Sequence, residues 1–296
     1  MLSDPMKPTV AVLLAAFNGM QWIEEQVSSI LEQDGVHVVL FISIDKSTDG
    51  TYEWCKKLES ERSNVHILAY GERFGGAAKN FFRLIKDVNI NEYDYVALSD
   101  QDDIWLSNKL SHAVNLIKND SLDAVSSDVV SFWSDGREML VKKSHPQKKF
   151  DYLFEAAGPG CSYVFKETAL SDFKTFLKYH YIQINEVSLH DWIIYAYFRS
   201  RGLRWHIDNT PLMRYRQHAS NQVGSNTGIS SYIKRLKMVN SGWYRNEVKK
   251  IHNLVNLKEK DNIYLSRTFL IKNFHELRRR HRDAWILLLM ILLGLF

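Results

Sequence analysis

The sequence predicts an α/β protein built on a mostly parallel sheet flanked by helices, and three observations carry that reading. The runs Thr9–Ala16 and His37–Ile44 are apolar throughout rather than alternating, which is the pattern of strands buried on both faces. Amphipathic helical stretches separate the apolar runs, as right-handed βαβ units require. Polar turns close one strand after another: Phe17-Asn18-Gly19, Asp45-Lys46-Ser47 and Asp100-Gln101-Asp102-Asp103.

Taken in order, Thr9–Ala16 is the first strand and stops at the Asn-Gly turn signal. Trp22, Val27, Ile30 and Leu31 then recur on one helical face. The second strand, His37–Ile44, runs into a loop rich in capping residues, Asp45–Thr51, and a helix opens at Tyr52. Val65–Leu68 is a short third strand. Gly75-Gly76 leads into a helix through Phe81, Phe82, Leu84 and Ile85. Tyr95–Leu98 is the fourth strand, followed by the acidic stretch, a helix over 110–117 and a strand over 123–127. The second half is less regular. Tyr163–Phe165 and Trp205–Ile207 read as strands, a further strand precedes Tyr215–His218, and an aromatic helix covers 193–198. In open parallel sheets ligands bind beyond the carboxyl ends of the strands. Asn18, Asp45 and Asp100 all fall there.

Composition bounds the class. The 296 residues are 45% hydrophobic and 24% charged, in keeping with a globular protein that has a proper core. Cys55 and Cys161 form neither a metal-type spacing nor a disulfide framework, which points to a reducing compartment. The N-terminus lacks the basic and apolar regions of a signal peptide. A cytoplasmic location is therefore expected. The net charge of +4 conceals an asymmetry: residues 221–296 hold 14 Lys and Arg against 5 Asp and Glu, whereas the rest hold 24 against 29. A basic tail on an acidic body is expected to meet an anionic surface.

Asp100, Asp102 and Asp103 crowd three carboxylates into four positions at a strand end. A divalent cation with a phosphate-bearing ligand would relieve their repulsion, since hard cations take oxygen ligands. An acidic turn capping the next helix is the plainer reading of the same residues. No Gly-x-Gly-x-x-Gly follows the first strand, there is no Gly-x-x-x-x-Gly-Lys-Ser/Thr, and no Gly-x-Ser-x-Gly is present. Dinucleotide dehydrogenases, P-loop proteins and α/β-hydrolases are thereby disfavoured.

Four segments, in order, resemble the inverting glycosyltransferases of family 2, which have the GT-A fold, and in particular a rhamnosyltransferase-like bacterial branch that builds surface polysaccharides. They are the first strand into Ala15-Ala16-Phe17-Asn18-Gly19 with Gln26 and Ser28-Ser29-Ile30; Asp45–Thr51; Ser99–Trp105 with Asn108-Lys109-Leu110; and His190-Asp191-Trp192 with Arg216-Gln217-His218 and 221–224. The resemblance covers about residues 8–225. It divides the chain into a GT-A domain, 1–225, and a basic helical C-terminal extension, 226–296. Where the family usually has paired acids and a Gly, this chain has Ile44, Asp45 and Lys46, a departure that alters the base-contacting loop.

The resemblance implies roles. Ala16, Asn18, Asp45, Lys79, Asp100, Gln101, Asp102 and Arg216 are expected around the nucleotide sugar. Asp102 and His218 are expected at a divalent metal, Mg2+ or Mn2+. Asp191 is expected to be the catalytic base; because it follows a turn and begins an aromatic helix, its plainer reading is an N-cap. Gly160, Cys161 and Trp192 are expected on the acceptor side. The donor would be a nucleotide-diphosphate sugar, dTDP-rhamnose or a UDP-sugar, and the acceptor a glycan or lipid-linked glycan. A sugar-phosphate nucleotidyltransferase would share the sheet and the metal acids but would carry a Gly-rich basic loop after the first strand. A non-catalytic nucleotide-sugar-binding module would not need Asp191.

The tail Arg278-Arg279-Arg280-His281-Arg282 precedes a stretch, Ala284–Phe296, of thirteen uncharged, largely apolar residues. That is short of the roughly 20 residues a spanning helix needs. A basic cluster beside a Trp-flanked apolar segment suits an interfacial anchor on the inner membrane surface. The competing reading is a helix packed on the domain or on a second subunit. The apolar end argues against nucleic acid as the partner.

Overall fold

The computed structural model describes residues 7–218, 241–256 and 265–296. The segment 221–224 and the 225/226 division lie outside the described residues. A seven-stranded sheet forms the centre, made of β1 (Thr9–Ala16), β2 (His37–Ile44), β3 (Val65–Ile67), β4 (Tyr95–Ser99), β6 (Ala124–Ser127), β9 (Val164–Lys166) and β10 (Trp205–Asp208). Its order is β10-β6-β9-β4-β1-β2-β3. Only β9 runs antiparallel to its neighbours β4 and β6. The mostly parallel α/β sheet expected from the sequence is therefore what forms, with β1 and β2 at the expected bounds.

β1 is buried along almost its whole length because β2 and β4 flank it and helices cover both faces. Helices α1 (Ile23–Leu31), α2 (Thr51–Glu61), α3 (Ala77–Asp87) and α4 (Lys109–Asn119) follow β1, β2, β3 and the short strand β5 (Ile104–Trp105) in turn. In α3 the buried face carries Phe81, Phe82, Leu84 and Ile85. Helices α5 (Glu167–Tyr179), α6 (Tyr181–Ile184) and α7 (His190–Ser200) follow β9.

A second sheet was not foreseen. It joins β5 (Ile104–Trp105), β11 (Met213–Arg216), β7 (Val129–Phe132) and β8 (Glu138–Val141) in that order. β11 pairs with β5 immediately after the acidic stretch, Met213 opposite Trp105 and Arg214 opposite Ile104. This pairing carries Arg216 and His218 onto Asp102 and Asp103.

The described part of the C-terminal extension consists of α8 (Trp243–Val255), α9 (Arg267–Lys272) and α10 (His281–Leu292). Val248, Ile251, Leu270, Leu287 and Ile291 join the same apolar cluster as Phe81, Phe165 and Tyr195. One face of α10 is thus packed on the domain. Its other face leaves Trp285, Ile286, Leu289, Leu292 and Leu293 at least half exposed. No helix among the described residues is long and apolar enough to cross a membrane.

Candidate active site

The ends of β1, β2 and β4 open into a cleft of about 1370 Å³. After β1 the chain turns sharply. Asn18 adopts a left-handed conformation, φ 46°, and its side-chain oxygen accepts from the Thr48 amide at 2.9 Å. Gln101 clamps the same turn, accepting from the Phe17 amide at 2.8 Å and donating to the Phe17 carbonyl at 2.9 Å. Gly19 permits the clamp: a Cβ there would lie 2.1 Å from Gln101 Oε1. Asp45 is buried and accepts from the backbone amides of Lys46 (2.8 Å), Phe74 (3.0 Å) and Gly75 (3.0 Å). It fixes the glycine loop that forms one rim.

The acids after β4 are packed as closely as their spacing implied. Burial pushes Asp100 up to about 7, and the charges of Asp102 and Asp191 push the same way. Burial, then Asp102 and Asp100, hold Asp103 well above the usual carboxylate range. Asp103 Oδ1 accepts from the Arg216 amide at 3.1 Å, while Oδ2 is buried with no hydrogen-bond partner among the described residues. Asp102 Oδ2 lies 2.7 Å from His218 Nε2, and the His218 ring stacks on Trp22 at 4.0 Å. Underneath, burial lowers Lys109 to about 8, opposed by Cys161 and Asp103, and its ammonium sits 3.7 Å from the Trp105 ring centroid.

These residues fit a hard divalent cation. Buried carboxylates with raised pKa values and an oxygen lacking a partner are electrostatically unfavourable until a positive charge joins them. Two donor sets come from the same turn: Asp102 with His218, and Asp100, Asp103 and Cys161, whose ligand atoms lie within 4.8 Å of one another. The thiol is the poor member of the second set, because burial and the neighbouring acids hold it protonated.

The first turn of α7 lines the same cleft through His190 and Asp191. Leu189, not Asp191, occupies the cap position, and Asp191 accepts from the Trp192 amide at 2.8 Å. The expected capping role is corrected accordingly. Burial raises Asp191 to about 6, against the pull of the Trp192 amide and of Lys143. His190 was not singled out as a functional residue in the sequence, although it stands beside Asp191. It is stacked on Phe81 at 4.0 Å, and burial drops it to about 3, so it is neutral. A Cβ on Gly160 would lie 2.3 Å from His190 Nε2. Gly160→Ala is expected to displace His190 and the first turn of α7, costing about 1–3 kcal/mol of stability as an overpacked site does. Turnover should fall by a larger factor than the thermal shift alone explains, measured by parallel melting and activity assays.

The remaining expected site residues divide. Ala16, Asn18, Asp45, Asp100, Gln101, Asp102, His218, Gly160 and Asp191 all line the cleft. Lys79 does not. It is exposed on the outer side of α3, and its neighbour Asn80 is the residue that turns inward, donating to the Ser43 carbonyl at 2.9 Å. Arg216 is engaged by protein, donating to the Asp102 carbonyl at 2.8 Å and pairing with Glu25. Cys161 and Trp192 lie behind the wall, Trp192 donating to the Tyr152 carbonyl at 3.0 Å. Trp105 is likewise a core residue.

The arginine cluster also departs from expectation. Arg278 and Arg279 are not offered outward. Arg279 is buried against Asp151 at 3.1 Å and Glu155 at 3.5 Å, and Arg278 meets Glu155 at 3.7 Å. Arg282 meets Asp283 at 3.4 Å, so protein acids meet three of the four arginines that anionic lipid was expected to explain. Lys142 and Lys143, just past β8, line the same side of the cleft and were overlooked in the sequence.

Comparison with known proteins identifies the family and the fold. Residues 11–177 match the model of Glycosyl transferase family 2. The chain is 43% identical, over 96% of its length and 100% of the relative's, to the dTDP-rhamnosyl transferase RfbG of Shigella flexneri. Among solved structures it resembles S. aureus TarS in complex with UDP, at 14% identity, TM-score 0.55, with 97% of this chain and 80% of that one covered. It also resembles the mannosyltransferase PcManGT from Pyrobaculum calidifontis in complex with GDP-Man and Mn2+, at 16% identity, TM-score 0.53, covering 99% and 82%. The fold is of the GT-A type, and the chain belongs to glycosyl transferase family 2.

Proposed function

We propose that this glycosyltransferase moves L-rhamnose from dTDP-rhamnose to a hydroxyl of a glycan or lipid-linked glycan in surface-polysaccharide synthesis, by one displacement with inversion. The observation that carries the mechanism is that Asp191 lines the same cleft as Asp100 and Asp102, near enough for its charge to act on Asp100. Asp191 takes the acceptor hydroxyl proton. The acceptor oxygen bonds to the sugar's anomeric carbon, and the bond from that carbon to the diphosphate oxygen breaks, its electron pair leaving with dTDP. A carboxylate raised to about 6 suits general-base work near neutral pH. The end-to-end identity with a dTDP-rhamnosyl transferase supports the donor.

Asp102 and His218, with Asp100 beside them, would hold a divalent ion, Mg2+ or Mn2+. When bound, such an ion supplies Lewis-acid stabilisation of the leaving diphosphate. Asp45 positions the loop against which the nucleotide lies. His190, neutral and packed against Gly160, adds no charge of its own beside the base.

The 1–225 segment is the catalytic domain in this reading, and 226–296 supplies part of the wall of its cleft. The protein is cytoplasmic and sits on the inner membrane face through the outer side of α10. Leu289→Glu is expected to abolish flotation with phosphatidylglycerol vesicles and to leave the melting temperature unchanged, because Leu289 is 57% exposed. Unchanged flotation would assign that face to another partner.

Incubation with dTDP-rhamnose, UDP-glucose, UDP-GlcNAc and GDP-mannose, each with EDTA or Mn2+, tests the whole reading. Mn2+-dependent turnover confined to dTDP-rhamnose, with inversion at the anomeric carbon seen by NMR, is expected. Metal-independent turnover or retention of configuration would overturn it.

A further inference from the structure

The cleft is lined by groups of both charges. Strand ends supply the acids Asp45, Asp100 and Asp102. Lys142 and Lys143 follow β8, and Arg280 and Arg282 stand at the entry to α10. Among the described residues, neither lysine nor Arg280 pairs with a carboxylate, and Arg282 meets only Asp283, at 3.4 Å. These cations press on one another. After burial itself, Arg280, Lys142 and Arg279 are the largest influences holding the His145 imidazole down. Burial, then Arg279 and Arg278, hold Lys143 down as well, opposed by Glu155 and Asp191. Six cations, Lys142, Lys143, Arg278, Arg279, Arg280 and Arg282, outnumber the acids Glu155, Asp191 and Asp283 along this stretch of the lining, an excess that favours an anion. It is also next to the chemistry, since Lys143 acts on the ionisation of Asp191.

The wall has an apolar continuation. Arg280 and Arg282 open α10, and the residues directly after them on its outer side are Trp285, Ile286 and Leu289, all more than half exposed. A ligand with an anionic head and an apolar tail satisfies both surfaces at once. A free nucleotide satisfies only the first.

We propose that Lys142, Lys143, Arg280 and Arg282 bind the phosphate or diphosphate that joins the acceptor saccharide to an apolar carrier. The acceptor then enters past these cations, with its carrier along the outer face of α10. This inference rests on reading the cleft as a glycosyltransferase site.

The test titrates farnesyl diphosphate, and farnesol as its phosphate-free counterpart, into the full chain saturated with dTDP and Mn2+. The double variant R280E/R282E is treated identically. Both arginines are exposed, so the variant is expected to fold and to bind dTDP like the parent. Farnesyl diphosphate should bind the parent at least tenfold more tightly than the variant, and farnesol should bind neither differently. Equal binding of farnesyl diphosphate to both proteins, or its displacement by dTDP, would overturn the proposal. A variant that loses flotation with phosphatidylglycerol vesicles but keeps farnesyl diphosphate would overturn it too, and would assign the wall to phospholipid headgroups. Failure of dTDP to bind either protein strikes instead at the reading of the donor site.

Discussion

Asp191→Asn is expected to lower turnover by about 10²–10⁴, the usual contribution of a positioned general base, while dTDP binding stays at the parent level. The substitution keeps the size of the side chain and an oxygen able to accept from the Trp192 amide, 2.8 Å away in the parent. What it removes is the capacity to take a proton. Two pH measurements separate this from a merely structural role. In the parent, turnover should rise with pH and level off above about 6, where Asp191 is ionised. Stability should move the other way. A carboxyl whose folded pKa lies above its unfolded value binds more protons folded than unfolded, so it costs stability as pH rises from about 4 through 6. At pH 7 the Asn variant should therefore be as stable as the parent or more so, by on the order of 1–3 kcal/mol, and the gap should close below pH 4. A variant that turns over normally, or that is inactive because it has unfolded, would remove Asp191 from the mechanism.

Strand ends and the order of acids along the chain were the most legible features. β1 and β2 stop where their apolar runs stop, because nothing but burial defines them. Asp45 and Asp100 follow at the carboxyl ends because a parallel sheet puts all such turns on one side. Asn18 and Gly19 were visible as a turn, but not the reason for Gly19, which is the Gln101 side chain arriving from more than 80 residues away.

The rest was hidden for identifiable reasons. The second sheet rests on β5, a strand of only two residues, which has too little periodicity to be seen. Lys79 was placed in the site and Asn80 was not, since one position of helical phase separates an exposed residue from a buried one. The Arg278-Arg279 pair looked like a membrane signal because its partners, Asp151 and Glu155, stand more than 120 residues earlier. Charge clusters are legible in sequence; the acids that neutralise them across the fold are not. The same limit concealed the basic wall, whose lysines and arginines come from segments about 140 residues apart.

Asp102→Asn is the second large effect expected, with activity and stability moving in opposite directions. Asp102 is the acid that touches His218, at 2.7 Å, and its charge raises both Asp100 and Asp103. In the absence of metal, the three carboxylates repel. Asp100 and Asp103, raised in the folded state, make the parent less stable as pH climbs through about 7. Removing the Asp102 charge relieves both neighbours, so the metal-free variant should melt at or above the parent at pH 8 and lose less stability between pH 5 and 8. Added Mn2+ reverses the ranking. A ligand that binds only the folded state adds roughly 2.7 kcal/mol at a hundred times its Kd, and the parent should show that rise while the variant does not. Turnover in Mn2+ should drop at least 10²-fold in the variant, since an ion stabilising a leaving diphosphate supplies several kcal/mol to the transition state. Differential scanning fluorimetry at pH 5 and 8, with EDTA or Mn2+, reads all four stabilities. An Asp102→Asn protein that still melts higher in Mn2+ and still turns over would move the ion to the deeper set formed by Asp100 and Asp103, whose Oδ2 is buried without a hydrogen-bond partner among the described residues.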